Sequence, residues 1–456
     1  MRRRFWHRPL PRGLSLVGEV HNSSNVRFLA DKTWVDDDGD RFSEQHIFDA
    51  IFALIEKSRR FLLLDLFLYN DFQGKEQETT RLLSGELTET LVRHQKENPE
   101  MTIIVITDPI NTVYGSRPSP HFRQLEESGI QVVMTDLTKL RDSNPAYSLV
   151  WRYFIRPFGN STKGWLPSPF GDRSKTTLRS YLSAFNFKAN HRKVVLADDG
   201  DDWTALVTSA NPHDASSAHT NVAVSFTGPA VWDLVRSENA VLALSGRDTT
   251  HLDVRPPKQE PGTSIQVLTE RAIKEAALRM IDQSRRNERL GVATFYLSDR
   301  HVIRALKRAA QRGVALRLLL DPNKDAFGNP KFGIPNRAVA WELRQAGVEL
   351  RWVHTHGEQC HTKMILHEDM SGEAMILLGS ANLTRRNLDN FNLETNVLVR
   401  AAASSTVFKD AKFHFDLLWY NQPGKVFSVP YEHYKSESRI KRALSRFMEA
   451  TGFSTF

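Results

Sequence analysis

Apolar and polar positions follow two alternating periods along this chain, which is typical of an α/β protein. Apolar residues recur at helical spacing from Ile47 to Ile55, and an almost continuous apolar run, FLLLDLFLYND, follows at 61–71. A helix at about 85–97, the strand MTIIVITD, the helix HFRQLEESG and the strand IQVVMTDL are predicted next. Strands that alternate with helices across short turns indicate an α/β domain with a substantially parallel sheet.

The same order of elements returns in the second half of the chain. RAIKEAALRMIDQSRR, HVIRALKRAAQRG and AVAWELRQAG are predicted helices, and LGVATFYLSD, VALRLLLDPNKD and VELRWVHT are predicted strands. Asp108 corresponds to Asp321 at an offset of 213, each followed by proline, whereas His191 corresponds to His361 at an offset of only 170. The sequence is therefore a tandem duplication, and its first copy carries an insertion of roughly 45 residues at 140–187.

A short polar motif recurs at the same place in both copies. HRKVVLADDGDDWTALVTSAN at 191–211 is answered by HTKMILHEDMSGEAMILLGSAN at 361–382. Alternate residues of a strand share a face, so each H-x-K pair points into one space, to which the S-A-N turn of the next strand returns. One nucleophile or base, one cation and two neutral donors in each copy suit a phosphate group. The corresponding residues are His191, Lys193, Ser209 and Asn211 in the first copy and His361, Lys363, Ser380 and Asn382 in the second.

Two histidines and two lysines suffice to cleave a phosphodiester without a metal. One neutral imidazole attacks phosphorus and forms a phosphohistidine, and the other, protonated, donates to the departing alkoxide. The two lysines, with Asn211 and Asn382, would hold the non-bridging oxygens. Each copy supplies one histidine, so the halves are predicted to meet at their motifs about a pseudo-twofold axis.

A catalytic imidazole also needs an acceptor that fixes its tautomer. Glu394, twelve residues after Asn382, is predicted to be that acceptor for the second copy. When the TNV sequence at 220–222 is aligned with TNV at 395–397, an offset of 175, His219 stands where Glu394 does. The halves are therefore expected to be unequal, and the orienting group of the first histidine is not identified by the sequence.

These motifs resemble the signature of the phospholipase D superfamily, HxK(x)4D followed by a GSxN turn. The first H-x-K pair with Asp198 matches it fully, whereas Glu368 stands in the aspartate position of the second copy. GSAN at 379–382 matches the turn, while the first copy has Thr208 in place of the glycine. The resemblance spans about 45–425, which includes both halves.

Within the superfamily the chain looks most like the bacterial cardiolipin synthase and phospholipase D branch. Two motifs in one chain, an opening helix followed by LLLDLFLYND, and FTGPAVWDL at 226–234 carry this resemblance. It implies a nucleophilic histidine from one motif and an acid/base from the other, which we assign to His191 and His361, respectively. It also implies that Asp198 and Glu368 support the motif loops, and that the reaction uses neither a metal nor an organic cofactor.

The expected fold is α/β, a tandem duplication of two phospholipase D-type domains. Mixed, largely parallel sheets flanked by helices would be related by a pseudo-twofold axis, with the active site at their interface. The expected divisions are an irregular lead-in at 1–40, a first domain at 41–250, a second domain at 251–430 and a C-terminal amphipathic helix at 431–456.

Composition narrows the partners rather than the fold. In 456 residues, 61 Lys and Arg against 53 Asp and Glu give a net charge of +8, which favours anionic partners. No apolar run reaches the roughly 18 residues of a membrane span, and the basic start, MRRRFWHRPLPRG, has no apolar core after it. The protein is therefore expected in the cytoplasm, at most peripheral to the inner membrane face, and is expected to be a monomer. The single cysteine, Cys360, excludes an internal disulfide.

The insertion carries most of the positive charge. Between 140 and 187, seven Lys or Arg stand against two acidic residues, and ten aromatic residues are interspersed among them. This pattern is compatible with a membrane interface, with base stacking on nucleic acid, or with a lid that packs its aromatics over the domain. The basic segment 439–450 is predicted to be an amphipathic helix that docks on the core, with membrane contact as the alternative. Its apolar side is formed by Ile440, Leu444, Phe447 and Met448.

The favoured hypothesis is a phospholipid phosphodiesterase or phosphatidyltransferase, of the cardiolipin synthase or phospholipase D type, acting at an anionic membrane surface. A metal-independent nuclease or other phosphodiesterase is the alternative, because the chemistry does not depend on what the ester carries. A non-catalytic binding protein ranks third, because two complete His-Lys pairs argue against it.

Overall fold

A computed structural model describes residues 10–454, apart from 24, 75, 77, 170–173, 250–262 and 327–328. The basic start of the chain and the domain boundary expected at 250–251 lie outside the described residues. So do four residues of the insertion, 170–173, which include Phe170, Asp172 and Arg173. Among the residues that are described, no helix is both long and apolar enough to cross a lipid bilayer.

The first half alternates strands and helices as its hydrophobic pattern predicts. In chain order its elements are β1 (His21–Ser23), β2 (Val26–Val35), β3 (Arg41–Glu44), α1 (Ile47–Lys57), β4 (Phe61–Leu66), α2 (Leu83–Glu97), β5 (Thr102–Thr107), α3 (Pro120–Glu127), β6 (Gln131–Met134), α4 (Pro145–Phe154), β7 (Leu166–Pro167), β8 (Lys175–Thr176), α5 (Leu178–Ala184), β9 (Lys193–Asp199), β10 (Asp202–Thr208), β11 (Asn221–Thr227) and α6 (Ala230–Leu244). The helical spacing from Ile47 to Ile55 produces the buried face of α1, and all six residues of β4 are buried.

The second half repeats this succession. Its elements are β12 (Thr263–Thr269), α7 (Arg271–Gln283), β13 (Arg289–Thr294), α8 (Arg300–Gln311), β14 (Ala315–Leu320), β15 (Asp325–Ala326), β16 (Asn329–Pro330), α9 (Asn336–Gln345), β17 (Glu349–Val353), β18 (Lys363–Glu368), β19 (Glu373–Gly379), α10 (Arg385–Leu388), β20 (Thr395–Ala402), α11 (Thr406–Tyr420), β21 (Ser428–Pro430) and α12 (Arg439–Thr451). Each H-x-K lysine is the first residue of its strand, so the strands begin at the motifs.

The two large sheets have the same strand order, which confirms the tandem duplication. The first runs β3-β2-β11-β10-β9-β4-β5-β6, and the second runs β1-β12-β20-β19-β18-β13-β14-β17-β21. Both sheets are mixed, but parallel pairing is confined to β4-β5-β6 and β13-β14-β17, less than the sequence pattern indicated. The strands that follow each motif are joined by tight turns and so must pair antiparallel.

The lead-in expected at 1–40 is not irregular throughout. β2 pairs with β11 at the first sheet, whereas β1 pairs with β12 at the edge of the second. The sequence VRFLADKTWV, with buried Phe28, Trp34 and Val35, makes a ten-residue strand that fits this position. A segment interpreted as a leader therefore connects both sheets.

One continuous hydrophobic core joins the halves. It includes Val222 and Val224 of β11 together with Leu378 of β19 and Val397 of β20. The sheets thus pack on each other through the strands beside β9 and β18, and the repeated order makes this contact reciprocal. The starts of β9 and β18, where the two histidine motifs lie, are consequently at the interface between the halves.

Candidate active site

Strand register places the two H-x-K motifs at corresponding sheet edges. Lys193 is paired with Leu66, the last residue of β4, and Leu66 is in turn level with Thr107 at the end of β5. In the second sheet, Lys363 is paired with Thr294, the last residue of β13. Each motif therefore begins where parallel strands end, the edge at which α/β proteins commonly place their sites.

Backbone hydrogen bonds between the halves hold both histidine segments. The amide nitrogen of His191 donates to the carbonyl of Leu393 at 2.9 Å, and that of Thr220 donates to the carbonyl of Gln359 at 3.0 Å. Leu393 lies two residues before β20, and Thr220 lies directly before β11. The segment of His191 is thus hydrogen-bonded to the residues before β20, and the segment of His361 to the residue before β11.

These backbone contacts between the halves determine which histidine Glu394 contacts. Its Oε2 lies 3.0 Å from Nδ1 of His191, in the other half of the chain. The expectation that Glu394 orients the histidine of its own copy, His361, is therefore wrong. Glu394 precedes β20, and the backbone contact at Leu393 brings it across the interface to the first motif. Ser380 and Asn387 donate to the same carboxylate.

Asn221 occupies the corresponding position opposite His361. Its Oδ1 lies 3.2 Å from Nδ1 of His361 and accepts a hydrogen bond from Ser209 at 3.0 Å. The amide nitrogen after Asn221 donates to Ser209 Oγ at 3.1 Å, just as the one after Glu394 donates to Ser380 Oγ at 3.0 Å. Asn221, rather than His219, is the structural counterpart of Glu394, so the alignment of the two TNV sequences is two residues out of register.

The reason for this error is physical. A shift of two residues leaves every side chain of a strand on the same face, so the hydrophobic pattern does not reveal it. His219 lies beside the site instead, with its ring centroid 5.8 Å from that of His361 and its Nδ1 accepting from the amide nitrogen of Gln359.

The lysines of the two motifs adopt matching positions. Each Nζ donates to the carbonyl of its own motif histidine at 2.6 Å and lies over a phenylalanine ring, Phe67 for Lys193 and Phe295 for Lys363. Burial lowers the pKa of Lys193 to about 7, and burial with repulsion from Lys193 holds the pKa of Lys363 well below its usual range. Two ammonium groups so close together favour an anion between them.

Both histidines are also buried. Burial lowers the pKa of His191 to about 4, with Glu394 opposing the shift and Lys193 and Lys363 adding to it. Burial, followed by Lys363 and His219, keeps the pKa of His361 well below its ordinary value. The electrostatic coupling crosses the interface, so the two motifs form one site.

Comparison with known proteins agrees with this geometry. Residues 277–419 match a family model described as the phospholipase D-like domain of cardiolipin synthase. The second half of the chain therefore carries a phospholipase D-like domain, and this match, with the shared fold, supports assignment to the phospholipase D superfamily. This assignment supports a phosphodiesterase or transferase activity in general terms. No curated protein sequence matches the chain.

Several solved structures are similar to this chain to different extents. Phosphatidylserine synthase of Haemophilus influenzae is 10% identical with a TM-score of 0.58, over 95% of this chain and 96% of that one. Polyphosphate kinase of Porphyromonas gingivalis is 11% identical with a TM-score of 0.48, over 94% and 54% of the two chains. Nuc, a phospholipase D family member of Salmonella typhimurium, is 17% identical with a TM-score of 0.29, over 36% and 97%.

The residues of the two superfamily turns divide into two groups. Ser209 and Ser380 donate to the acceptors that face the histidines, so their hydroxyl protons are directed away from a ligand. Oδ1 of Asn211 accepts from the amide nitrogen of Leu68 at 3.2 Å. Oδ1 of Asn382 is buried without a hydrogen-bond partner among the described residues. Because Leu68 engages the oxygen of Asn211, its amide nitrogen is the group of that side chain that can donate to a phosphate.

Asp198 and Glu368 lie at the far ends of the strands that the motif lysines begin. Asp198 accepts from the backbone nitrogens of 59–61 at 2.8 to 3.2 Å, which fixes the entry to β4. Glu368 pairs with Arg289 at 3.1 Å. Asp198 therefore holds a loop, and Glu368 forms an ion pair at the strand end away from the histidine site.

Two aspartates that hold the histidine segments were not singled out as site residues by the sequence. Oδ2 of Asp108 accepts from the amide nitrogen of Asn190 at 2.8 Å, and Oδ2 of Asp321 accepts from that of Cys360 at 2.7 Å. Each acts on the residue just before a motif histidine. Burial raises the pKa of Asp108 to about 7 and that of Asp321 to about 6. The repeated Asp-Pro pair was the available signal, since it recurs in both halves.

Behind the site a buried ion network positions Glu394. Arg192 is completely buried and contacts Glu238 at 3.1 Å and Glu270 at 2.7 Å. Glu270 in turn accepts from the amide nitrogen of Glu394 at 3.2 Å. Within the described part of the chain, the side chains grouped closely enough to hold a metal ion are Glu56, His94 and Glu97, on and beside α1 and α2. None of these three belongs to the histidine site.

Proposed function

We propose that this protein is a phospholipid phosphodiesterase or phosphatidyltransferase that works through a covalent phosphohistidine. The observation that carries the proposal is the crossed pairing of the two motif histidines, with Glu394 on His191 and Asn221 on His361. Two imidazoles with different acceptors and two ammonium groups in one buried site suit the division of labour that phosphodiester transfer requires. Because one chain supplies both histidines, we expect a monomer to be active.

His191 is the better nucleophile of the two. Although burial opposes ionisation, His191, Lys193 and Ser380 hold the pKa of Glu394 below its usual range, so its carboxylate is an acceptor. Nδ1 of His191 must then carry the proton, which leaves the Nε2 lone pair for attack. With a pKa of about 4, this imidazole is neutral at physiological pH. Glu394 also stabilises the positive charge that develops on the ring as the bond to phosphorus forms.

In the first step, Nε2 of His191 attacks phosphorus and the bond to the headgroup oxygen breaks. The leaving oxygen takes the proton from Nε2 of His361, so the alcohol departs neutral and the phosphatidyl group remains on His191. In the second step, water or an alcohol gives its proton to His361 and attacks phosphorus. The bond between phosphorus and His191 breaks, and His191 returns to its neutral form. Water gives hydrolysis and an alcohol gives transfer.

His361 must be protonated for the first step although its surroundings depress its pKa. Burial and Lys363 are the main causes of that depression. A phosphodiester brings a negative charge into contact with both lysines and both histidines, which opposes each cause. Binding of the substrate therefore raises the pKa of His361 when its proton is required. The same anion stabilises the protonated forms of Lys193 and Lys363, which then hold the non-bridging oxygens.

A chromogenic lipid separates the roles of the histidines. The nitrophenolate of phosphatidyl-p-nitrophenol leaves without a proton, so His361→Ala should release about one equivalent in a burst and then stall with the phosphatidyl group on His191. Mass spectrometry of the alkaline-quenched protein should locate this adduct. His191→Ala should give no burst, while His367→Ala, which removes a buried histidine at the other end of β18, should turn over normally. An adduct on His361 would reverse the assignment.

The lipid assignment is tested with natural substrates. Phosphatidylglycerol vesicles, with and without an added alcohol, should yield phosphatidic acid or a new phosphatidyl alcohol, and either histidine variant should lose at least about a thousandfold in rate. Single-stranded and duplex DNA are incubated in parallel with chelator present. Unchanged lipid together with cleaved DNA would replace this proposal by the nuclease alternative.

A further inference from the structure

Helix α4, in the insertion, exposes apolar side chains to solvent. The buried residue of α4 is Ser148, which is small and polar. Tyr153, Phe154 and, beyond the helix, Phe158 and Trp165 are 59% to 72% exposed. Leu149 and Val150 are exposed on the same helix. Tyr147, Phe185 and Phe187 pack against one another, as a lid would require, but these exposed rings do not follow that interpretation.

The C-terminal helix α12 shows the same inversion. It docks on the body of the protein, as expected, but its most buried residues are polar. Glu449 is buried and accepts from Ser298 Oγ at 2.7 Å and from the amide nitrogen of Arg385 at 2.9 Å, and Ser445 is buried beside it. Its apolar residues Ile440, Leu444 and Phe447, on the opposite stripe, are exposed.

The two segments are in direct contact. The ring of Phe453, just after α12, lies 6.2 Å from that of Phe185 and 5.6 Å from that of Phe187, near the end of the insertion. Gly452 approaches the backbone of Ser143, near the start of the insertion, so closely that a Cβ would lie 2.1 Å from its carbonyl oxygen. The exposed apolar side chains of both helices therefore belong to adjoining parts of one surface.

This surface borders the active site. The insertion leaves the sheet after β6, whose last residue, Met134, is level with Thr107 and hence with the edge at which Lys193 begins β9. On the other side, Met448 of α12 packs against the aromatic pair Phe295 and Tyr296. The ring of Phe295 lies 5.3 Å from that of His361.

The charge of both segments has one sign. The exposed residues Arg156, Lys163 and Lys175 belong to the insertion, whereas its Asp142 is already paired with Arg152 and Lys188 at 2.7 Å. α12 carries Arg439, Lys441, Arg442 and Arg446. Arg446 contacts Glu342 at 3.3 Å. Exposed aromatic and aliphatic side chains among these cations complement the interface of an anionic bilayer.

We propose that this surface, formed by residues 145–165 and by α12, docks on an anionic phospholipid membrane with the active site facing the lipid. Single-stranded nucleic acid is the less suitable occupant. Bases stack on aromatic rings, whereas Leu149, Val150, Ile440 and Leu444 offer aliphatic side chains with no flat face. Aliphatic side chains insert into a bilayer interface as readily as aromatic ones do. The inference rests on the proposed lipid substrate and adds how the protein reaches it.

Vesicle sedimentation tests this surface without requiring turnover. The full chain should bind vesicles of phosphatidylcholine with phosphatidylglycerol at least tenfold more tightly than vesicles of phosphatidylcholine alone, and more tightly than single-stranded DNA. The variants Phe154→Ser/Phe158→Ser/Trp165→Ser and Ile440→Ser/Phe447→Ser should each lose at least tenfold in vesicle affinity. A control triple, Met370→Ser/Phe413→Ser/Tyr420→Ser, changes equally exposed residues outside both segments and should retain binding within twofold.

Soluble turnover separates this inference from the proposed function. A short-chain p-nitrophenyl phosphodiester below its micelle concentration should be hydrolysed by all three variants at the rate of the unaltered chain, which also shows that they fold. Loss of vesicle binding with retained hydrolysis supports the surface. Equal vesicle binding by variants and unaltered chain, or a preference for DNA, would overturn it. Vesicle binding without hydrolysis would leave the surface standing and remove the proposed function instead.

Discussion

Asn221 and Glu394 occupy equivalent positions in the two halves, and each faces the motif histidine of the other half. The distances are 3.2 Å from Asn221 Oδ1 to His361 Nδ1 and 3.0 Å from Glu394 Oε2 to His191 Nδ1. The backbone around them is nearly the same, yet one position holds an amide and the other a carboxylate. The duplicated site is therefore symmetric in geometry and asymmetric in charge.

This asymmetry gives a reason for the two histidines to do different work. An imidazole that becomes a phosphohistidine carries positive charge along the reaction, and a carboxylate stabilises that charge. An imidazole that gives and regains a proton must not hold it too tightly, and a neutral amide fixes the Nδ1 proton without raising its pKa strongly. The pseudo-twofold axis thus relates two residues whose partners adapt them to successive roles.

Introducing a carboxylate opposite His361 should shift the pH dependence of lipid turnover. In Asn221→Asp, the added negative charge favours imidazolium and should raise the pKa of His361 by about 1 to 3 units. Activity that needs protonated His361 is lost as pH rises through this pKa, so the alkaline limb should move to higher pH. The pH profile of kcat/KM on phosphatidylglycerol measures the shift. The burst with phosphatidyl-p-nitrophenol needs no acid and is the internal control, and an unchanged alkaline limb would contradict the role of His361.

Removing the charge from Glu394 should slow the reaction at every pH at which the protein is folded. Glu394→Gln keeps an acceptor near Nδ1 but no longer stabilises the charged ring, and we expect a loss of about 10² to 10⁴-fold in kcat. Since the pKa of His191 is already about 4 and Glu394 raises it, the variant's His191 stays neutral and the loss should be uniform from about pH 5 to 8. Stopped-flow measurement of the nitrophenolate burst gives the rate.

The chain contains a matched control for that variant. Glu288 and His367 form another buried carboxylate-imidazole pair at 2.9 Å, remote from the site at the far end of β18. Glu288→Gln should lower the melting temperature and leave the burst rate within about twofold. If both variants lost activity equally, the effect of Glu394 would be structural rather than catalytic.

The sequence predicted the two motifs because H-x-K and S-A-N recur at matching places, and it predicted the α/β repeat because helical and strand periods alternate. It did not predict the partner of Glu394, since that depends on the contact between sheets and not on distance along the chain. The misalignment at Asn221 has a related cause. The identical TNV sequences at 220–222 and 395–397 suggested one alignment, whereas strand pairing defines another that differs by two residues.

The sequence also did not predict which side of the surface helix α12 is buried. Ile440, Leu444, Phe447 and Met448 form one apolar side of α12, and such a side normally predicts the buried face. Here Ser445 and Glu449 are buried because Ser298 and the backbone of Arg385 satisfy the carboxylate of Glu449. A specific polar contact decided the docking, and hydrophobic periodicity alone carries no information about it.

The repeated aspartates should affect the two chemical steps differently. Asp321→Asn weakens the hold on Cys360, just before His361, and should lower turnover of phosphatidylglycerol about tenfold or more while leaving the nitrophenolate burst almost unchanged. Asp108→Asn acts on Asn190, just before His191, and should slow both reactions. The measurement is the rate of each variant on phosphatidylglycerol compared with its burst rate on phosphatidyl-p-nitrophenol. Equal losses on both substrates in Asp321→Asn would indicate general disruption of the site.

Gly379 stands where the first half has Thr208, and replacing this glycine should test why the second half needs it. Its φ is +153°, and an added Cβ would lie 2.3 Å from the carbonyl oxygen of Thr395, which also accepts from the amide nitrogen of Ser380. Gly379→Ala should therefore lower the free energy of unfolding by about 2 kcal/mol or more.

The same substitution should also affect activity. Because Thr395 must move, Glu394 moves with it, and the burst rate should also fall. Gly372→Ala is the control: it has a positive φ of +88° but nothing within 4 Å of the new Cβ, so it should cost only about 1 kcal/mol and leave the burst rate unchanged. Denaturant unfolding and the burst assay on the same preparations give both quantities, and equal effects of the two variants would show that the close approach at Thr395 is not what requires glycine.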